Sequence, residues 1–331
     1  LVNEALENVA QKEIAQEVSN LHHELKNILK GVFLIRDLTP KTEDAILAYG
    51  ERIASVFAAR FLEAKWLDSR CFIKTNDAVG NVNVDFELTY KLTRDQYESV
   101  SSTRVVVPGF ISSDAETNDV TTLGRGGSDY TAALIGAALG ASQIEIWKTH
   151  DGFMTADPSV TRKAYKIEHL SYSEAMELCN FGASVLYAPT IYPAYVANIP
   201  IQIMNISKPE CKGTLISSTL KDEKTIKGIS SIGETALVTI QGMGMMNVHN
   251  VNGRIFMKLD YNDIHTFFVS QASSGSSISI GVQSVDAELV MELLSEEFEE
   301  EMAAGAINSI TSEKDLSTIA IVGDNMKQTT G

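Results

Sequence analysis

The stretch Thr121-Thr122-Leu123-Gly124-Arg125-Gly126-Gly127-Ser128-Asp129 sets an arginine among three glycines and follows them with a hydroxyl and a carboxylate. Glycines let a backbone turn sharply and approach a ligand closely. A run of small and apolar residues from Tyr130 to about Leu139 reads as a helix, with Ser128 or Asp129 expected to cap it. A helix start offers free N–H groups and a positive dipole end, which favour an anion. Arg125 adds a permanently charged, planar fork suited to a carboxylate or phosphate. Glycines alone would fit a plain strand-to-helix turn; the arginine inside them favours an anion site. No Gly-Lys-Ser/Thr closes the turn, so it is not a P-loop. A second polar stretch, Lys148-Thr149-His150-Asp151-Gly152, runs on to Asp157-Pro158. Gly50-Glu51-Arg52 lies inside a helical pattern, where a glycine costs about 1 kcal/mol and hints at close backbone approach. On spacing alone Glu51 reads as a solvated charge. No metal site is expected: His22 and His23 are adjacent, about 100° apart on a helix, and Cys71, Cys179 and Cys211 lack ligand spacing.

The chain has 331 residues, 44% of them hydrophobic, and a formal charge of −16. That length allows two or three domains. The charge argues against nucleic acid or an acidic membrane surface as main partner, while small anions can still be held by local fields. Three sparse cysteines suit free thiols in a reducing cytosol, so a cytoplasmic location is expected. No apolar run approaches the roughly 18 residues that span a bilayer. Leu1-Val2-Asn3-Glu4 opens a polar helix without a secretory pattern or an initiator methionine, and the chain is expected to begin inside a longer protein.

Residues 1 to about 70 read as helical. One stripe is Leu1, Ala5, Val9, Ile14, Val18, Leu21, Leu25, Ile28, Leu29, Val32 and Ile35; a second helix from about Glu43 to Leu62 has Ile46, Ile53, Val56, Phe57 and Phe61 inside. Asp85 to Glu98 is ambiguous. Val105 to Ile111 reads as a buried central strand, Ser112 to Asp119 as a polar loop, and Ile144-Glu145-Ile146-Trp147 as the next strand. Ser171 and Glu174 stand at capping-box spacing before a helix that reaches Cys179; another helix begins near Thr190, and Ile201 to Asn205 is a strand. This alternation implies an α/β layer with a parallel sheet, whose ligands sit at the carboxyl ends of the strands. The loops after Val107, Leu123 and Trp147 are then the walls of one site. After a charged stretch from Lys221 to Lys227, a β-α-β-β-α order from Ile229 to Glu301 is ferredoxin-like. Thr318 to Met326 reads as the start of a second copy.

With these residues in view, the chain resembles aspartate kinase, of the amino-acid-kinase superfamily with C-terminal ACT domains, and most resembles the kinase part of enzymes fused to homoserine dehydrogenase. The resemblance rests on the 121–133 stretch, Gly109-Phe110, Gly50-Glu51-Arg52, Ile144-Glu145-Ile146-Trp147, Asp151-Gly152 with Ala156-Asp157-Pro158, and Leu170 to Phe181; distally it rests on Gln271-Ala272-Ser273-Ser274. It implies an amino-acid-kinase fold with a mainly parallel central sheet between helices over 1–220, a ferredoxin-like ACT domain over 228–317 and part of a second over 318–331. It implies transfer of phosphate from ATP, with Mg²⁺, to the side-chain carboxylate of L-aspartate, giving 4-phospho-L-aspartate. An ionised carboxylate needs no general base, so such catalysis rests on positioning and charge neutralisation.

By the same resemblance Arg125 clamps a substrate carboxylate, Gly126, Gly127 and Ser128 line the pocket beside Phe110, Glu51 receives the α-amino group, and Asp129 orients the pocket and the cationic groups. Lys148, Thr149, Asp151, Met154, Asp157 and Ser184 fall at nucleotide-binding positions. Gln271 falls at an allosteric position, with threonine or lysine as effector and a homodimer or higher homo-oligomer expected. Departures stand beside these matches. The family's Lys-Phe-Gly-Gly-Thr-Ser motif is not in this sequence, and its Phe-Gly-Ala-Lys reads Phe181-Gly182-Ala183-Ser184. Two readings stay open: a feedback-regulated aspartate kinase, or a catalytically silent amino-acid-sensing chain.

Overall fold

The computed structural model describes residues 10–78, 81–218, 224–324 and 326. Leu1, Ala5 and Val9 of the expected stripe, residues 221–223 of the charged stretch and the chain end at 327–331 lie outside the described residues. The chain divides into two compact units, each drawing on several stretches. One comprises residues 1–153, 168–175 and 184–222; the other comprises 154–167, 176–183 and 223–331.

The first unit opens with two long helices, α1 (Ala10–Ile35) and α2 (Pro40–Phe61). Leu21, Tyr49 and Val56 bury a shared seam, and Ile53 packs against it as expected. The stripe stops short of the helix ends: Leu29, Ile35 and Phe61 are exposed, because nothing apolar lies opposite the last turns. Thr39 caps α2 by accepting from the Thr42 amide, with Pro40 at the first helical position. The strand β1 (Lys65–Trp66), the hairpin β2 (Lys74–Ala78) and β3 (Asn81–Val84), and the helix α3 (Phe86–Glu98) follow. The ambiguous 85–98 stretch is thus helical, and Asp85 caps it through a 2.9 Å bond from the Leu88 amide. The expected central strand shrinks to β4 (Val105–Val106), half-buried and parallel to β1.

The polar loop expected from Ser112 is instead the fully buried strand β5 (Ile111–Asp114), parallel to β2 and antiparallel to β6 (Val120–Thr122). Polar side chains are tolerated there because each finds a partner. Ser112 Oγ lies 2.9 Å from Thr121 Oγ1, and Ser113 Oγ donates to the Arg70 carbonyl at 2.8 Å and takes Lys74 Nζ at 2.7 Å. The helix α4 (Gly127–Leu139) leads to β7 (Ile144–Lys148), then β8 (His169–Leu170), α5 (Tyr172–Asn180), α6 (Ile191–Val196), β9 (Ile201–Asn205) and β10 (Thr214–Ile216). These strands form a sheet of order β7-β9-β10-β8, with β7 parallel to β9. The fold is therefore α/β, with parallel and antiparallel pairings mixed through its sheets. The capping box forms: the Ser171 amide donates to Glu174 Oε2 at 2.9 Å and the Glu174 amide to Ser171 Oγ at 3.0 Å.

The second unit is built on β11 (Gly228–Gln241), α7 (Val251–Tyr261), β12 (Phe268–Gln271), β13 (Ser277–Gln283), α8 (Ala287–Glu297), α9 (Glu299–Ala303) and β14 (Ser309–Val322). Its antiparallel sheet has the order β12-β13-β11-β14, which is the ferredoxin-like arrangement. Ile240, Ile255, Ile280, Val290, Leu294 and Phe298 form its core. The helix expected over 286–301 is interrupted at Phe298, whose buried ring lies 4.5 Å under the Arg254 guanidinium. Residues 318–322 complete β14. They pair with Gly228–Ile232, while 309–316 pair with the rest of β11, and the ladder slips between the two blocks. Glu234 and Asp315 take positive φ at that slip.

Candidate functional site

The glycine-rich turn is built around two left-handed backbones, Gly124 at φ 69° and Gly126 at φ 79°. Gly126, not Ser128 or Asp129, is the N-cap of α4, and no side chain caps the helix. Of the first-turn amides, that of Gly127 donates to the Gly124 carbonyl at 3.0 Å, and those of Ser128 and Asp129 have no acceptor among the described residues. Gly127 lies where an added Cβ would stand 2.9 Å from Leu123 Cβ and 3.1 Å from Phe110 Cα; at Gly109 it would stand 2.9 Å from Ser128 Cα. Glycines at 109 and 127 therefore let the 109–110 corner press onto the helix start.

Phe110 itself has φ 69°, an uncommon value for a bulky residue. It is pinned there by its neighbours. Its amide donates to Thr131 Oγ1 at 3.1 Å, its carbonyl accepts from the Leu123 amide at 2.7 Å, and Thr131 Oγ1 donates to the Gly127 carbonyl at 2.8 Å. Thr131 is buried. It was not among the residues expected to matter, because a threonine inside a small-residue helix gives no sign that its hydroxyl holds another loop.

Arg125 and Ser128 are exposed, and no hydrogen bond or ion pair engages Arg125 among the described residues. Asp129 lies in the first turn of the helix and forms a 2.6 Å ion pair with Lys148, the last residue of β7. The two side chains are 14% and 27% exposed, so the pair is screened less than a surface one. The turn and the end of β7 are thus brought together by charge. Opposite Lys148 on the neighbouring strand is Asn205, buried, whose Nδ2 donates to Asp151 Oδ1 at 2.6 Å. Lys208 Nζ stands 3.2 Å from the same carboxylate. Asn205 closes the expected β9 strand, but strand periodicity carries no signal for this contact. Between Lys148 and Asp151, His150 has a buried Nδ1 without a hydrogen-bond partner. Burial first, then the Lys148 charge, push its pKa below the usual histidine range.

Thr149 and Ser184 are exposed. Met154 and Asp157 belong to the second unit. There Met154 bridges Lys166, and the Asp157 carboxylate accepts from the Ser159 amide at 2.7 Å; the Ser159 side chain first, then this amide, draw its pKa down. Glu51 is half-buried on α2, and desolvation raises its pKa. No hydrogen bond or ion pair joins it to the turn among the described residues. Its helix is nonetheless tied to the strand that feeds the turn, since Thr122 Oγ1 donates to Asp44 Oδ1 at 2.8 Å. Glu51 follows Asp44 by seven residues, which returns it to the same helix face about 10 Å further along. Gly50 faces open space, so the close approach expected there is not found. Gln271 is the last residue of β12, and its Oε1 accepts from Asn252 Nδ2 at 3.1 Å.

Known proteins resemble this chain in sequence and fold. The sequence model of the amino acid kinase family matches residues 4–205, and that of an ACT domain matches residues 238–298. The chloroplastic bifunctional aspartokinase/homoserine dehydrogenase 2 of Arabidopsis thaliana is 32% identical over 335 residues, covering 96% of this chain and 36% of its own length. The crystal structure of E. coli aspartokinase III with aspartate and ADP, in the R-state, superposes with a TM-score of 0.80 at 26% identity, covering 97% of this chain and 72% of that one. The T-state structure with lysine and aspartate gives 0.73 at 26% identity, covering 96% and 71%. The chain spans between 35% and 40% of the length of bifunctional relatives that it matches. No helix among the described residues is long and apolar enough to cross a membrane. By sequence and fold, the chain belongs to the amino acid kinase family and carries an ACT domain.

Proposed function

We propose that the chain is the kinase and regulatory part of an aspartate kinase, which transfers a phosphoryl group from ATP to the side-chain carboxylate of L-aspartate to give 4-phospho-L-aspartate, under feedback by threonine or lysine. The observation that carries this reading is the unpaired Arg125 fork at the open N-terminus of α4, beside the Asp129–Lys148 pair. A dicarboxylate meets there a guanidinium and free helix amides. Lys148 gives the nucleotide side a cation held in place by Asp129, and Thr149, Asp151 and Ser184 supply polar groups on the same unit. Met154 and Asp157 are assigned to the nucleotide by their sequence positions. Glu51, ionised against its burial, is stabilised by an α-ammonium group.

The carboxylates nearest Lys148 in the fold, Asp129 and Asp151, are each committed to a cation or an amide. No group of three or more His, Cys, Asp or Glu side chains converges among the described residues. That donor set fits a Mg²⁺ held chiefly by phosphate oxygens rather than by a protein cage. Such an ion would supply charge neutralisation on the phosphates, while Arg125 and the helix amides hold a substrate carboxylate. E. coli aspartokinase III has been solved with aspartate and ADP, which supports both ligands here, and with lysine, which supports an amino-acid effector. The free cysteines suit a reducing, cytoplasmic setting. The exposed edge strand β12 suits a homodimer formed through the ACT sheets.

The test is turnover of ATP and Mg²⁺ with aspartate, with the acyl phosphate trapped by hydroxylamine. Aspartate-dependent hydroxamate supports the kinase. Binding of threonine or lysine without any hydroxamate supports the silent sensing chain instead.

A further inference from the structure

We infer that Tyr187 is a positioning residue for the Arg125 turn, and that its ring sets how tightly the turn holds an anionic substrate. This role rests on the reading of the turn as an aspartate-carboxylate site. Arg125 stands between two glycines with positive φ, which by themselves leave its backbone free to move. Gly124 gives no support, since nothing lies within 4 Å of the place where its Cβ would be. Gly126 is different: its missing Cβ would fall onto Cβ and Cγ of Tyr187. The Tyr187 ring also meets the Tyr130 ring edge-on, with centroids 6.1 Å apart and planes at 76°. Tyr130 lies in the first turn of α4, and its amide donates to the Gly126 carbonyl at 3.2 Å. Tyr187 therefore touches the turn at its cap and the helix one turn later.

The sequence around Tyr187 is rigid enough for this task. Tyr187 caps a short 3-10 turn, Ala188–Thr190, with Pro189 inside it and the Thr190 side chain fully buried. No hydrogen bond engages the Tyr187 hydroxyl among the described residues, so the bracing comes from the ring. Pre-ordering a flexible arginine raises affinity by cutting the entropy lost on binding. A loss of bracing should thus appear as weaker substrate binding rather than as altered chemistry.

The experiment compares the full wild-type chain with Tyr187→Phe and Tyr187→Ala. Amide hydrogen exchange is followed by mass spectrometry, and L-aspartate is titrated by calorimetry. Tyr187→Phe should match wild type in both. Tyr187→Ala should speed exchange in a peptide spanning Gly124–Tyr130 while the second unit keeps its protection, and should weaken aspartate about tenfold. Where turnover is measured, KM for aspartate should rise while KM for ATP and kcat stay close to wild type. If wild type binds aspartate and Tyr187→Ala binds it equally well, the positioning role is overturned and the site reading stands. If exchange in 124–130 is unchanged, the bracing itself is refuted. If wild type binds no aspartate, the site reading fails and takes this role with it. Global loss of protection in Tyr187→Ala, with Tyr187→Phe also weakened for aspartate, would also refute it, since the ring alone would then not suffice.

Discussion

A single guanidinium makes the turn more than a helix start. Arg125→Ala should cost about 2–5 kcal/mol of substrate or transition-state binding, because the aspartate carboxylate then lacks its charge partner. The check is kcat/KM for aspartate, and an unchanged value would remove Arg125 from the site. Glu51 allows a test by pH. Burial raises its pKa, so the folded chain holds this proton at a pH where the unfolded chain has lost it. Stability is therefore lost as pH rises from the ordinary glutamate range through the raised value, and an α-ammonium group that favours the ionised form offsets this loss. Aspartate affinity should fall as pH drops through that same window, and Glu51→Gln should bind weakly without this pH dependence. Calorimetric titrations across the window decide it; a parallel pH profile in both proteins would assign the titration elsewhere. Thr131 acts at one remove. Thr131→Val keeps the shape but leaves the Phe110 amide without its acceptor. With Phe110 already at positive φ, aspartate binding should weaken several-fold, at a stability loss of about 1–3 kcal/mol measured by denaturant unfolding.

At the scale of the element, short-range signals were read well and long-range ones were not. Ser171 and Glu174 cap α5 as their spacing requires, and Glu174 is 1% exposed. Glu174→Ala should destabilise the chain by about 1–2 kcal/mol, seen as a lower unfolding midpoint. The β7 strand was legible because its Ile144 and Ile146 alternate with polar or amphipathic residues. The strand β5 was not, because Ser112, Ser113 and Asp114 owe their burial to partners up to 43 residues away, such as the Arg70 carbonyl. Sequence periodicity carries no trace of such partners. The helix cap at Gly126 was missed for a related reason. Ser-Asp after glycine is a good local capping signal, but a positive φ and the close approach of Tyr187 make glycine the residue that fits at 126. Residues proposed for the site stand out where they depart from structural need, as Arg125 does. Thr131, Asn205 and Tyr187 were hidden because each also makes good structural sense.

For the whole molecule, the net charge of −16 makes local fields decisive: at the proposed site an anion would be held by Arg125 and Lys148 against the charge of the rest of the chain. Regulation poses a separate question, which concerns the second unit. Gln271 ends the edge strand β12, is exposed, and accepts from Asn252 in the first turn of α7. Its amide nitrogen makes no hydrogen bond among the described residues, so a ligand can take it without breaking a protein contact. The carboxylate of a free amino acid suits this donor, and the hydroxyl of threonine suits the neighbouring amide oxygen. An effector shifts the kinase only by its difference in affinity between two states, typically about 1–3 kcal/mol, or several-fold to a hundredfold. Titrating threonine and lysine into wild type and Gln271→Ala by calorimetry, with sedimentation to follow dimer formation, separates the alternatives. Threonine binding that weakens in Gln271→Ala places the effector at β12. Equal threonine binding by both proteins removes Gln271 from the effector site, and lysine binding without threonine binding assigns the regulation to lysine.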